Sequence, residues 1–76
     1  MPKLPVATGA EVVRALKRVG FVFDRQSGSH VILKDPTRGK IVSVPVHSGR
    51  DVTPGSMRSV LRQAGLTADE LREALR

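Results

Sequence analysis

The stretch FVFDRQSGSHVILKDPTRGKIVSVPV, Phe21–Val46, decides the fold. Its apolar residues are β-branched or aromatic, their spacing is nearer two than 3.6, and two clusters of turn formers interrupt them. This predicts three strands, at about Phe21–Arg25, Ser29–Lys34 and Lys40–Val46, separated by Gln26-Ser27-Gly28 and by Asp35-Pro36-Thr37-Arg38-Gly39. Connections this short join antiparallel neighbours, so the three form a meander. Pro45 has no N–H to give to a ladder and belongs at an edge or at the very end of the third strand. Alternation places Phe21, Phe23, Val31, Leu33, Val42 and Val44 toward a core. His30, Ile32 and Lys34 then share the other face, with Ser43 nearby.

Helix signals flank this sheet on both sides. Upstream, Thr8 and Glu11 form a capping box, Ala7 can meet Val12 across it, and Gly20 supplies the stop. Val12, Val13, Leu16 and Val19 make an apolar stripe opposite Arg14, Lys17 and Arg18. Downstream, Thr53 caps a helix with Pro54 in its first position, Val52 and Met57 form a staple pair, and Gly65 ends it. Met57, Val60, Leu61 and Ala64 form its buried stripe, with Arg58 and Arg62 on a flank. A short third helix follows, with a Thr67–Glu70 capping box, a Leu66–Leu71 staple, and Leu71, Ala74 and Leu75 pointing one way to close the core. The expected architecture is α+β: a two-layer α/β sandwich of order α-β-β-β-α with a short C-terminal helix.

At 76 residues the chain has room for one domain, expected over residues 1–76. It contains no cysteine, which excludes disulfides and thiolate metal sites and fits a reducing cytosol. Apolar runs such as Val31-Ile32-Leu33 fall far short of the roughly 20 residues that span a bilayer. The segment MPKLPVATG lacks the apolar core of a secretion signal, so a soluble cytoplasmic protein with no membrane partner is expected. Thirteen Lys and Arg against seven Asp and Glu give a net charge of +6. These cations interleave with the apolar periodicity from Arg14 to Arg62, so the charge sits on a folded surface that invites a polyanion.

The chemistry available near neutral pH is narrow, because histidine alone has an unperturbed titration there and the chain has only His30 and His47. Two histidines with scattered acids at Asp24, Asp35 and Asp51 do not make a metal shell, and no metal is expected. Ser29 beside His30 has no elbow motif, and no glycine-rich phosphate loop precedes a helix, so no nucleotide cofactor is expected either. RNA, however, brings its own nucleophile, the 2′-hydroxyl, and needs from a protein only a base, charge stabilisation and a proton for the leaving oxygen. His30, just after a glycine turn, can supply the first. Amides of Thr53-Pro54-Gly55-Ser56 can hold a phosphate, with Arg50, Arg58 and Arg62 adding charge.

Three motifs in fixed order then stand together: Gly28-Ser29-His30; Val44-Pro45-Val46-His47-Ser48-Gly49-Arg50-Asp51; and the run Pro54 to Leu66, PGSMRSVLRQAGL. Together they resemble the HicA toxin family, from the Gly20-Phe21 helix end to Leu71. The resemblance implies a double-stranded-RNA-binding-like fold and a metal-independent mRNA interferase, the toxin of a type II toxin–antitoxin system, inhibited by a HicB-type antitoxin. It assigns catalysis to His30 of the Gly28-Ser29-His30 motif, with Gly28, Ser29 and His47 in support; the charge pattern, independently of the resemblance, makes Lys34, Arg50, Arg58 and Arg62 the expected RNA-binding residues. Where many relatives carry a polar or aromatic residue soon after the histidine motif, this chain has Val31-Ile32-Leu33. The rival readings are a non-catalytic double-stranded-RNA-binding module and a subunit whose basic face binds only an acidic protein. RNA cleavage separates the first from the enzyme, and RNA affinity at low salt separates the second.

Overall fold

In the computed structural model, which describes residues 3–76, the elements run α1 (Gly9–Arg18), β1 (Val22–Ser27), β2 (His30–Asp35), β3 (Lys40–Pro45), α2 (Pro54–Ala64) and α3 (Ala68–Leu75). The strands form one antiparallel sheet in the order β1-β2-β3. Met1 and Pro2, which begin the segment expected to lack a secretion signal, lie outside the described residues. Among those residues no helix is long and apolar enough to cross a membrane.

The helix ends follow the capping chemistry. Glu11 N–H donates to Thr8 Oγ1 at 3.2 Å while Thr8 N–H donates to Glu11 Oε1 at 2.8 Å, and the second bond holds the Glu11 carboxyl below its ordinary pKa. Thr67 and Glu70 repeat the arrangement in α3, at 2.8 and 3.0 Å. α2 ends on Gly65 at φ 70°, a left-handed conformation in which a side chain is strained. Its neighbour Leu66 donates back to the Leu61 carbonyl at 3.0 Å.

The core lies on one face of the sheet. Val12, Leu16, Phe21, Leu33, Val42, Val44, Met57, Val60, Ala64 and Leu71 are fully buried there, and Ala7 and Val52 of the predicted staples join them. α2 packs chiefly on β3, and α3 on α1. Arg18 pins that helix pair by donating to the Ala74 and Arg76 carbonyls at 2.9 and 2.6 Å. Asp35, the one charged side chain buried among the described residues, closes the β2–β3 turn. Its carboxylate accepts from Arg38 Nε at 2.6 Å and from the Thr37 amide at 3.0 Å, while Arg38 also stacks 6.0 Å above the Phe21 ring.

The structure corrects several sequence expectations. Phe23 was assigned to the core, yet it is 53% exposed. It pairs with the buried Leu33 and shares that face, but β1 is the edge strand farther from α2, which packs chiefly on β3, and α1 touches β1 only lightly. A bulge between Phe23 and Arg25 then resets the register, so that Arg25 pairs with Ile32. The first turn is the two-residue Gly28-Ser29 rather than Gln26-Ser27-Gly28, so β1 runs on to Ser27 and β2 begins at His30. Gly28 at φ 59° with no positive φ at Ser29 is the pattern of a II′ hairpin turn, whose twist matches that of its strands. β3 stops at Pro45, the end position that its missing N–H dictates, and Val46 falls outside it.

Candidate active site

The register assembles the sheet's outer face in rows. Ser27, His30 and Pro45 make one row, Arg25, Ile32 and Ser43 the next, and Val22, Lys34 and Ile41 the third. No helix covers this face, and His30, Lys34 and Ile41 are exposed on it. The predicted outward set of His30, Ile32 and Lys34, with Ser43 beside them, is therefore the observed one.

Along the free edge of β3 the outer face meets α2, and a cleft of about 280 Å³ opens between them. It is lined by His30, Ser43 and Pro45 from the sheet and by Gly55, Ser56, Ser59 and Gln63 from α2. That volume lies just under the roughly 300–1,000 Å³ of sites that enclose drug-sized ligands, and suits one unit of a polymer whose remainder crosses open surface. His30 enters it from the first position of the central strand, directly after the II′ turn, so its backbone is fixed on both sides by ladder pairing. Its imidazole makes no hydrogen bond to the described residues, which leaves both ring nitrogens to a ligand.

The α2 wall offers hydrogen-bond donors. Ser56, Ser59 and Gln63 recur at i, i+3 and i+7 and so share one helix face. Gln63 Oε1 accepts from the Ser43 amide at 2.8 Å, which ties α2 to the strand edge. Four residues of the helix start were expected to present free amides; the structure leaves fewer. Pro54 has none, Ser56 N–H is taken by Thr53 Oγ1 at 3.3 Å, and Met57 N–H by the Thr53 carbonyl at 2.8 Å. Thr53 and Gly55 keep amides with no hydrogen bond among the described residues, and of the two Gly55 lines the cleft. α2 also carries no carboxylate, so the positive end of its dipole is not neutralised in its own first turn.

Of the residues singled out from sequence, His30 lines the cleft, together with Ser43 of the outward face and Gly55 and Ser56 of the helix start, while the other catalytic, supporting and RNA-facing candidates do not. Gly28 and Ser29 form the turn that delivers it, and the Ser29 carbonyl accepts from Val46 N–H at 2.7 Å, joining that turn to the end of β3. His47 is exposed in the loop after β3, where its carbonyl accepts from Arg50 N–H at 2.9 Å in a turn made by Gly49. Lys34 lies farther along the outer face with Nζ 3.6 Å from Asp24 Oδ1. Arg50 and Arg58 are exposed with no ion pair among the described residues. Arg62 approaches the cleft through Ser59, whose hydroxyl accepts from Nη2 at 3.4 Å. Sequence reasoning missed Ser59 and Gln63, and it did not join Ser43 to the start of α2 in one cleft; the uncharged polar series along α2 was the available signal.

A family model described as the HicA toxin of bacterial toxin–antitoxin matches residues 9–66, from the first residue of α1 to just past the end of α2. No curated protein matches the chain. The match starts upstream of the segment in which the resemblance was read and stops short of Leu71, so α3 lies beyond it.

Proposed function

The chain belongs to the HicA toxin family, and we propose that it acts as a metal-independent endoribonuclease whose base is His30. The observation that carries this reading is the cleft itself, which sets one exposed imidazole on the strand side against uncharged donors on the helix side. An RNA strand lying over the open sheet face presents a 2′-hydroxyl to His30. The imidazole takes its proton, the 2′-oxygen bonds to phosphorus, and the bond from phosphorus to the 5′-oxygen breaks. The products are a 2′,3′-cyclic phosphate and a 5′-hydroxyl, so the net proton transfer runs from the 2′- to the 5′-oxygen. Donors from α2 stabilise the charge on the phosphorane. No three His, Cys, Asp or Glu side chains come together among the described residues, and the scheme needs no metal.

The net charge of +6 supplies long-range attraction for RNA, and equally for an acidic HicB-type antitoxin that covers the cleft. One experiment tests the catalytic assignment. Purified protein is incubated with mRNA in EDTA, and the same is done with His30→Ala. Cleavage by the wild type, and its loss in a variant that keeps its melting temperature and RNA affinity, is the expected result. RNA left intact by the wild type favours the non-catalytic binding module, and a fully active His30→Ala removes His30 from the chemistry.

A further inference from the structure

Gln63 sits in the last turn of α2, twenty residues along the chain from the strand it touches, and its side chain does two things at once. Its oxygen receives the Ser43 amide at 2.8 Å, satisfying an N–H on the unpaired edge of β3. A backbone N–H can only donate, so the atom facing it must be the carboxamide oxygen, and the orientation of the group is fixed by chemistry. The NH₂ end is thereby turned away from the strand. It has no partner among the described residues, and no buried side-chain nitrogen or oxygen there lacks one, so this nitrogen meets solvent. The solvent space that Gln63 lines is the cleft shared with His30.

Resting on the functional reading above, we infer that Gln63 binds substrate through Nε2, donating to a phosphate oxygen of the RNA at the nucleotide whose 2′-hydroxyl faces His30. Its oxygen is engaged by Ser43, so toward the cleft the group acts as a donor, which matches the acceptor-only oxygens of a phosphate. Base edges present donors and acceptors together and would call on both ends of a carboxamide. Its neighbours on the same helix face are the Ser56 and Ser59 hydroxyls and the Gly55 amide, a row of donors about 12 Å long at 1.5 Å per residue, with no carboxylate on the helix to repel an anion.

Two variants test this. Gln63→Glu keeps an oxygen for Ser43 and removes the donor; Gln63→Met removes the donor without adding charge. Both should lower cleavage by about a hundredfold, the scale seen when a transition-state donor is lost. Gln63→Glu should do so at an unchanged melting temperature, and the sequences cleaved should stay the same. Both should also bind a non-cleavable 2′-O-methyl RNA more weakly than wild type in low salt. Wild-type cleavage by Gln63→Met overturns the inference, because any defect of Gln63→Glu is then only charge repulsion. An altered cleavage sequence at undiminished rate overturns it in favour of a base contact. If the wild type proves inactive on RNA, the catalytic reading fails, while the 2′-O-methyl affinities alone still decide the phosphate contact: weaker in both variants upholds it, unchanged in either refutes it.

Discussion

Replacing Gly9 with alanine should destabilise the protein, although the same exchange in a helix ordinarily stabilises. Gly9 is the first residue of α1, has no positive φ, and could adopt its conformation as alanine. Space forbids it: an added Cβ would lie 2.4 Å from the Pro45 carbonyl oxygen, 2.8 Å from Val46 Cα and 3.0 Å from Val46 Cγ2. Two of those atoms are backbone and cannot rotate aside. Val46 N–H is bonded to Ser29, and Val52 N–H to the Ala7 carbonyl at 2.9 Å, so both sides of the contact are tied. Relief therefore requires α1 to move off the end of β3. Overpacking of this kind costs about 1–3 kcal/mol. Alanine's helix propensity returns at most about 1 kcal/mol, and less at a first helical position. A net loss of about 1–2 kcal/mol lowers the melting temperature of a domain this size by roughly 4–16 °C. Thermal melts followed by far-ultraviolet circular dichroism measure it directly. Gly55→Ala is the control, because a Cβ there meets nothing within 4 Å and α2 should gain or hold stability. Equal melting of the two variants, or a Gly9→Ala protein at least as stable as wild type, would refute the close approach of α1 to β3.

Asp35→Asn should lower the melting temperature at pH 7, with a gap from wild type that closes in acid. The hydrogen bond from Arg38 holds the Asp35 carboxyl below its ordinary value against the opposing effect of burial. A depressed folded pKa contributes stability that is complete above the unfolded value, about 3.9, and is lost as pH falls through the folded one. Melts from pH 7 to pH 2 check this, and a gap that stays constant throughout would disprove it. Arg58→Ala with Arg62→Ala should leave stability within about 0.5 kcal/mol, since both side chains are exposed. RNA affinity should fall for every sequence, and the slope of log K against log salt should flatten by about 0.7 for each phosphate contact removed. An unchanged slope, read by fluorescence anisotropy, would take both residues out of the RNA path.

What could be read from the sequence was what short-range chemistry dictates. Capping boxes at Thr8–Glu11 and Thr67–Glu70 need only three residues of context, and both are present as expected. Pro45 announces the end of a strand by its own lack of an N–H, and alternation alone puts His30 outward. Phe23 shows where such local evidence stops. Its place in the alternation is correct, since it pairs with Leu33, but burial depends on whether a helix lies overhead, and no periodicity in β1 encodes how far α1 and α2 extend across the sheet. Asp35 is the opposite case. In sequence it is one more polar turn residue, and its burial follows from Arg38 and two amides gathering on its carboxylate.

The cleft was legible by half for the same reason. His30 belongs to a recognisable turn-and-strand motif, whereas its opposite wall arises from α2 lying along the β3 edge, a relation between segments twenty residues apart. This arrangement separates two jobs that composition merges. Arginines set the attraction from a distance, but the residues lining the cleft, apart from His30, are uncharged, so reacting geometry rests on short donors whose positions depend on α2 staying docked. That docking comes from Met57, Val60, Leu61 and Ala64, all buried, and from the Gln63–Ser43 bond. On the proposed mechanism, changes beneath α2 should therefore impair cleavage more than RNA binding, and changes to surface arginines the reverse. Loss of a phosphate contact weakens ground and transition states alike, while a shift of the donor row away from His30 removes stabilisation that only the transition state uses.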